Sequence, residues 1–188
     1  MSALWLIRHG PTHAKGMCGW SDLPADLSDL AALARLSARL PEAPVVSSDL
    51  DRAVRTADAL AQDRPRLAHE RALREMHFGD WELRRHDEIE AETPALIRDF
   101  WDRPGDVAPP GGESWNALRT RCDGAIDRLW NGGDLIVVAH FGVILTQLQR
   151  ALGCEALEVF GHRIEPLSLT RLSREDGVWR VIEINTLP

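Results

Sequence analysis

The chain has 188 residues, 44% of them hydrophobic, with a net charge of −7 and a pI near 5.5. That length suits one well-buried core and is short for two, so a single globular domain is expected. The acidic balance argues against nucleic acid or an anionic membrane surface as the main partner.

The chain opens on an apolar run, Leu4-Trp5-Leu6-Ile7, that stops at Arg8-His9-Gly10. Its continuity fits a strand covered on both faces, as in a parallel sheet. Arg8 and His9 then stand at the carboxyl end, where open α/β sheets place their ligands. Taken alone, the same residues equally describe a strand edge solvated by an arginine and a histidine. Residues 13–26 lack either hydrophobic period and read as a loop. Ser28 is expected to cap a helix over 29–40, with Leu30, Leu33, Leu36 and Leu40 as its apolar stripe. Pro41 and Pro44 end it, and Val45-Val46 form a second strand leading to Ser47-Ser48-Asp49. Asp49 is the expected cap of a helix over 50–61, with Arg52 in its first turn.

A weak strand is expected over 66–69, followed by the mixed charged and aromatic segment 73–82, which reads as loop lining a surface. Two further helices follow over 86–92 and 94–101. The cluster Pro104, Pro109, Pro110, Gly111, Gly112 then reads as a turn or lid. Ser114 caps a helix over 115–130, with Leu118, Cys122, Ala125, Ile126 and Leu129 on one face. Residues 135–139 repeat the opening pattern, an apolar run ending in His140-Phe141-Gly142, before a helix over 143–152. Strands over 167–173 and 178–184, turned at Glu175-Asp176-Gly177, read as an antiparallel hairpin. This order predicts an α/β three-layer sandwich: helices on both faces of a mostly parallel sheet, with the C-terminal hairpin at its edge.

Cys18, Cys122 and Cys154 are odd in number and in no CxxC or Cys/His spacing, so neither a disulfide framework nor a zinc site is indicated. Met1-Ser2-Ala3 leads into the first strand without the charged start of a secretory leader. The longest apolar stretch, 135–145, contains His140 and falls short of the roughly 20 residues of a membrane span. A soluble, cytoplasmic protein with no membrane partner is expected.

Three junctions share one design, a strand followed by a cation or an imidazole and then a helix start: Arg8-His9, Arg52 and His140. Parallel neighbours would bring all three to one sheet edge, where helix N-termini favour anions. Two guanidinium groups that each grip two oxygens suit a phosphoryl group. Glu75, His77, Asp80, Glu82 and His86 have no helical spacing that would fix a metal, and none is expected.

Arg8-His9-Gly10, the block Ser47 to Ala53, the block Leu73 to Gly79, Pro110-Gly111-Gly112-Glu113-Ser114 and the block Val138 to Ile144 resemble, in order, the signature blocks of the histidine phosphatase (phosphoglycerate-mutase-like) superfamily. The blocks around Glu75 and Pro110 are most similar to alpha-ribazole phosphatases and their relatives. The resemblance implies that His9 is a nucleophile that becomes phosphorylated, that Arg8, Arg52 and His140 clamp the phosphoryl oxygens, and that Glu75 is acid and base. It places Lys15, Cys18, Gly19 and Phe141 on the substrate side. It also implies a metal-independent phosphomonoesterase without cofactor, monomeric or homodimeric, acting on a small phosphorylated metabolite such as alpha-ribazole phosphate. Two positions depart from the family's frequent residues: Pro11 stiffens the loop after His9, and Phe141 narrows the pocket mouth or packs behind it. Phosphoglycerate-mutase-type transfer, a non-catalytic phosphate-binding relative and a metal-dependent hydrolase are the alternative readings.

Overall fold

The computed structural model describes residues 2–188. Five strands form one mixed sheet in the order β2-β3-β1-β4-β5, with β1 Ala3–Arg8, β2 Val45–Ser47, β3 Leu135–Ala139, β4 Leu169–Glu175 and β5 Val178–Thr186. β2, β3 and β1 run parallel, and the β4–β5 hairpin extends β1 antiparallel. A two-residue turn joins β4 to β5, with both Asp176 (φ 50°) and Gly177 (φ 79°) left-handed, the twist a tight hairpin needs.

Both faces of the parallel strands are covered, which is why their sequences are continuously apolar. On one face Trp5, Ile7, Val45, Ile136 and Val138 pack against α1 (Leu30–Arg39) and α2 (Asp51–Ala61). On the other, Leu4, Leu6, Val46, Val137 and Ala139 pack with α3 (His86–Glu92), α4 (Pro94–Asp102), α5 (Trp115–Leu129) and α6 (Phe141–Leu152). A one-turn α7 (Ala156–Val159) follows. No helix among the described residues is long and apolar enough to cross a membrane.

The registers decide where the chemistry goes. Arg8 pairs with Ala139 and Ser47 with Val138, so the next residues, His9, His140 and Ser48, leave the sheet together at its carboxyl edge.

Several local expectations change. Asp29, rather than Ser28, caps α1 by accepting from the Ala32 amide at 2.9 Å, because Asp26 already holds the Ser28 amide at 2.9 Å. Leu30 lies outside the apolar stripe, 73% exposed. Asp49 does not cap α2: its carboxylate is taken by a bidentate pair with Arg74, at 2.7 and 2.8 Å, and Leu50 fills the N-cap position without a side-chain bond. The expected strand over 66–69 is reduced to one bridge between Val45 and Arg66. α6 starts at Phe141, two residues early.

The segment over 73–82 is not loop on a surface. Short 3-10 turns, Arg71–Leu73 and Gly79–Trp81, bury Leu73, Met76 and Trp81. The proline–glycine cluster holds it there: Asp80 donates to the Pro110 carbonyl and Glu113 to the His77 carbonyl, at 2.8 and 2.9 Å. Gly79 is left-handed (φ 53°) and faces the Pro110 carbonyl with no room for a Cβ, so a non-glycine residue would break this clamp.

Candidate active site

His9 is 6% exposed and held by its own neighbour. Its Nδ1 lies 2.6 Å from the Gly10 carbonyl oxygen, which can only accept, so Nδ1 carries the proton and Nε2 the lone pair. That lone pair points to Arg52, whose Nε–H donates to it at 3.2 Å. Burial, and then the Arg52 charge, push the imidazole down to about 3, so it is a free base at neutral pH.

His140 is fully buried, its ring centroid 5.1 Å from that of His9. One ring nitrogen, Nε2, bonds the Ser48 hydroxyl at 2.7 Å, while Nδ1 is buried without a partner. Burial and the Arg52 charge hold His140 well below the ordinary histidine range.

Arg52 projects from the first turn of α2 and is 1% exposed. Beyond His9 it donates to the Gly19 carbonyl at 2.5 Å and the Ser21 carbonyl at 2.9 Å, tying the loop after β1 to the site. Arg8 donates Nη1 to the Ile164 carbonyl at 2.5 Å, its guanidinium lies over the Phe141 ring at 5.5 Å, and its Nε is buried without a partner. Burial lowers its pKa from the usual arginine value.

Glu75 is the buried acid of the site, 7% exposed. Its carboxyl accepts from the Met76 amide at 2.9 Å and, with both oxygens, from the Gly142 amide at 3.1 Å in the first turn of α6. A Cβ at position 142 would lie 2.5 Å from Oε1, so only glycine admits this approach. Burial raises the Glu75 pKa against those two amide bonds, keeping the carboxyl protonated to higher pH than usual.

The structure gathers His9, Arg8, Arg52, His140 and Glu75 at one sheet edge. Gly19 joins them through its carbonyl on Arg52, and Phe141 through its ring beneath Arg8. Cys18 lies on the same loop, half-buried, with its thiol 3.7 Å from the Ser21 carbonyl and its pKa raised by burial. Lys15 is not drawn in: it is exposed and has no polar partner among the described residues. Pro11 turns its carbonyl to the Asp26 amide at 2.7 Å, which fastens the loop after His9 to the start of α1.

Four supporting residues escape sequence reasoning. Ser48 orients His140. Glu82 accepts from the backbone amides of Gly19, Trp20, Ser21 and Phe78 and from the Ser21 hydroxyl, at 2.7–3.1 Å. Burial pushes its carboxyl up, but these bonds together prevail and hold it below the usual glutamate range. Arg121 donates to the carbonyls of Ala72, Arg74 and Glu75 at 2.6–2.8 Å and pairs with Glu113, whose Oε1 accepts from the His77 amide at 2.8 Å. Glu113 precedes the Ser114 cap and Arg121 lies in the second turn of α5, so no helical spacing links the pair in the sequence.

A nucleophile unprotonated at Nε2, flanked by two guanidinium groups and a buried carboxyl whose pKa is raised, can exchange a phosphoryl group and protonate what leaves. Comparison with known proteins agrees. The sequence pattern of the histidine phosphatase superfamily (branch 1) matches residues 4–187. The adenosylcobalamin/alpha-ribazole phosphatase of Salmonella typhimurium is 31% identical over 96% of this chain and 90% of its own. The glucosyl-3-phosphoglycerate phosphatase of Mycolicibacterium vanbaalenii is 34% identical over 80% of this chain and 74% of its own. The native structure of a mycobacterial glucosyl-3-phosphoglycerate phosphatase superposes with a TM-score of 0.86 at 28% identity, covering all of both chains.

Proposed function

The chain belongs to the histidine phosphatase superfamily and is a phosphatase of small phosphorylated metabolites, and on that premise we propose that it works in two displacements through a phosphohistidine at His9. In the first, the Nε2 lone pair attacks phosphorus, the bond to the ester oxygen breaks, and protonated Glu75 gives that oxygen its proton. In the second, water attacks phosphorus, its proton passes to the Glu75 carboxylate, and the P–N bond returns its electrons to Nε2. Arg8, Arg52 and His140 hold the equatorial oxygens, the two guanidinium groups supplying the positive field that phosphoryl transfer demands without a metal ion and the neutral His140 a hydrogen bond. Arg52 must first move its Nε–H from the His9 lone pair to a phosphoryl oxygen, so substrate binding itself uncovers the nucleophile.

The observation that carries this reading is the tautomer of His9, its proton fixed at Nδ1 by the Gly10 carbonyl so that Nε2 keeps the lone pair, which Arg52 covers until substrate draws it away. The names of the relatives make alpha-ribazole phosphate and glucosyl-3-phosphoglycerate the first esters to try. Three unpaired cysteines suit the cytoplasm, and a single domain accords with the match over 4–187.

The test is a panel of phosphomonoesters assayed in excess chelator, with protein-bound phosphate that is stable in alkali and lost in acid, as a phosphohistidine requires, followed after an alkaline denaturing quench. Turnover persists in chelator, labelled protein accumulates, and His9→Ala loses both, about 10⁴-fold in rate. Unchanged turnover in His9→Ala overturns the reading.

A further inference from the structure

Glu75 lies between the two short 3-10 turns, where neither a helix nor a strand ladder holds its backbone. Its carboxyl hydrogen-bonds only to main-chain amides, those of Met76 and Gly142, so the acid points where its own stretch of chain points it. That stretch is fastened at the Glu75 carbonyl oxygen, which accepts from Arg121 Nη2 and from the Trp20 indole N–H, each at 2.8 Å. Arg121 reaches it from α5. Trp20 reaches it from the loop after β1, where it stands between Gly19 and Ser21, the two residues whose carbonyls hold Arg52. Main chain meets main chain here as well: a Cβ on Gly19 would collide with the Met76 carbonyl oxygen, one residue beyond Glu75.

We infer that Trp20 is a positioning residue, whose indole N–H holds the chain carrying the acid Glu75 in register with the loop carrying the phosphoryl clamp Arg52. The inference rests on the phosphatase reading and adds a residue to it. The ring itself is immobilised and its surroundings are filled. Arg74 and Arg71 lie over it at 4.9 and 5.3 Å, the His77 ring is 4.5 Å away, and Glu82 takes the Trp20 amide at 2.7 Å. A side chain held on so many sides serves as a strut, not as a contact for substrate. When Arg52 leaves the His9 lone pair for a phosphoryl oxygen, the Gly19 and Ser21 carbonyls still tether it, and Trp20 fixes how far that tether stands from the Glu75 backbone. The acid must meet an ester oxygen bonded to the phosphorus that Arg52 grips, and proton transfer tolerates little error in that distance.

The experiment measures kcat for butyl phosphate, whose leaving oxygen needs the acid, and for p-nitrophenyl phosphate, whose leaving oxygen does not, in the full chain and two variants checked for native circular dichroism. Trp20→Phe keeps a ring between the arginines and loses only the N–H. Trp20→His loses the second ring but puts an N–H at the same place in the five-membered one. We expect Trp20→Phe to lower kcat by about thirtyfold on butyl phosphate and about threefold on p-nitrophenyl phosphate, and Trp20→His to bring the ratio of the two back to within about threefold of the unsubstituted protein. Equal losses on the two esters in Trp20→Phe, or a ratio as low in Trp20→His as in Trp20→Phe, overturns the inference, and the phosphatase reading stands so long as Glu75→Gln still spares the p-nitrophenyl ester. Absence of turnover on both esters by the unsubstituted protein overturns that reading, and the inference with it.

Discussion

His9 and Glu75 are driven by the same force to opposite ends of their titrations. Burial favours the neutral form of both, leaving the imidazole a base with a pKa of about 3 and the carboxyl an acid with a raised one. This is the pair of protonation states the first displacement requires. Turnover of an alkyl phosphate should therefore show no loss from His9 as pH falls through 6.5, and should decline as pH rises through the raised Glu75 value. Glu75→Gln keeps an oxygen for the Gly142 amide but has no proton to give. It should lower kcat for an alkyl ester by about 10²–10³-fold and flatten the alkaline decline. A p-nitrophenyl ester, whose leaving oxygen needs no proton, should lose far less, and pH–rate profiles on the two esters check this. Equal losses on both would remove Glu75 from the role of acid.

Among the elements, the loop after β1 depends most on a single side chain. Five donors converge on Glu82, and the same loop offers Arg52 its Gly19 and Ser21 carbonyls. Glu82→Gln turns two acceptor oxygens into one and sets an amide N–H₂ against backbone donors. It should cost about 3 kcal/mol in urea denaturation and lower kcat/KM through a loosened Arg52. The contrast with the strands explains what the sequence discloses. β1 and β3 announce themselves because a fully buried strand must be continuously apolar, so the first polar residue after each run marks the sheet edge and with it His9 and His140. Glu82, Arg121 and Ser48 bear no such mark. Glu82 and Arg121 act on backbone groups some 50 to 60 residues away, and a main-chain amide or carbonyl has no sequence identity. The capping expectations at Ser28 and Asp49 fail because other groups decide: Asp29, the next residue, reaches the Ala32 amide, and Asp49 is drawn away by the Arg74 guanidinium from another part of the chain.

At the scale of the whole molecule, the two buried histidines tie stability to pH. Unfolded, each titrates near 6.5, whereas in the folded protein both are held far lower. Below 6.5 the unfolded chain takes up protons that the folded one refuses, so stability falls with pH. Between pH 7 and 5 the two together should cost about 4 kcal/mol, read as a lowered urea midpoint, and His140→Gln should remove about half of that loss. Glu75 works in the opposite sense, since its raised pKa makes the folded chain the better proton acceptor above 4.5.

The central position of β1 carries a further consequence, for how the molecule comes to exist. β1 is made before its partners on either side, β3 and β4, which follow some 130 and 165 residues later. During vectorial synthesis its apolar edges stay unpaired until those strands have emerged. Helix packing by α1 and α2 can begin early, but the sheet cannot close. The nascent chain therefore carries its nucleophile long before it has a sheet to hold it, an interval in which the exposed β1 edge is open to aggregation and to chaperone capture.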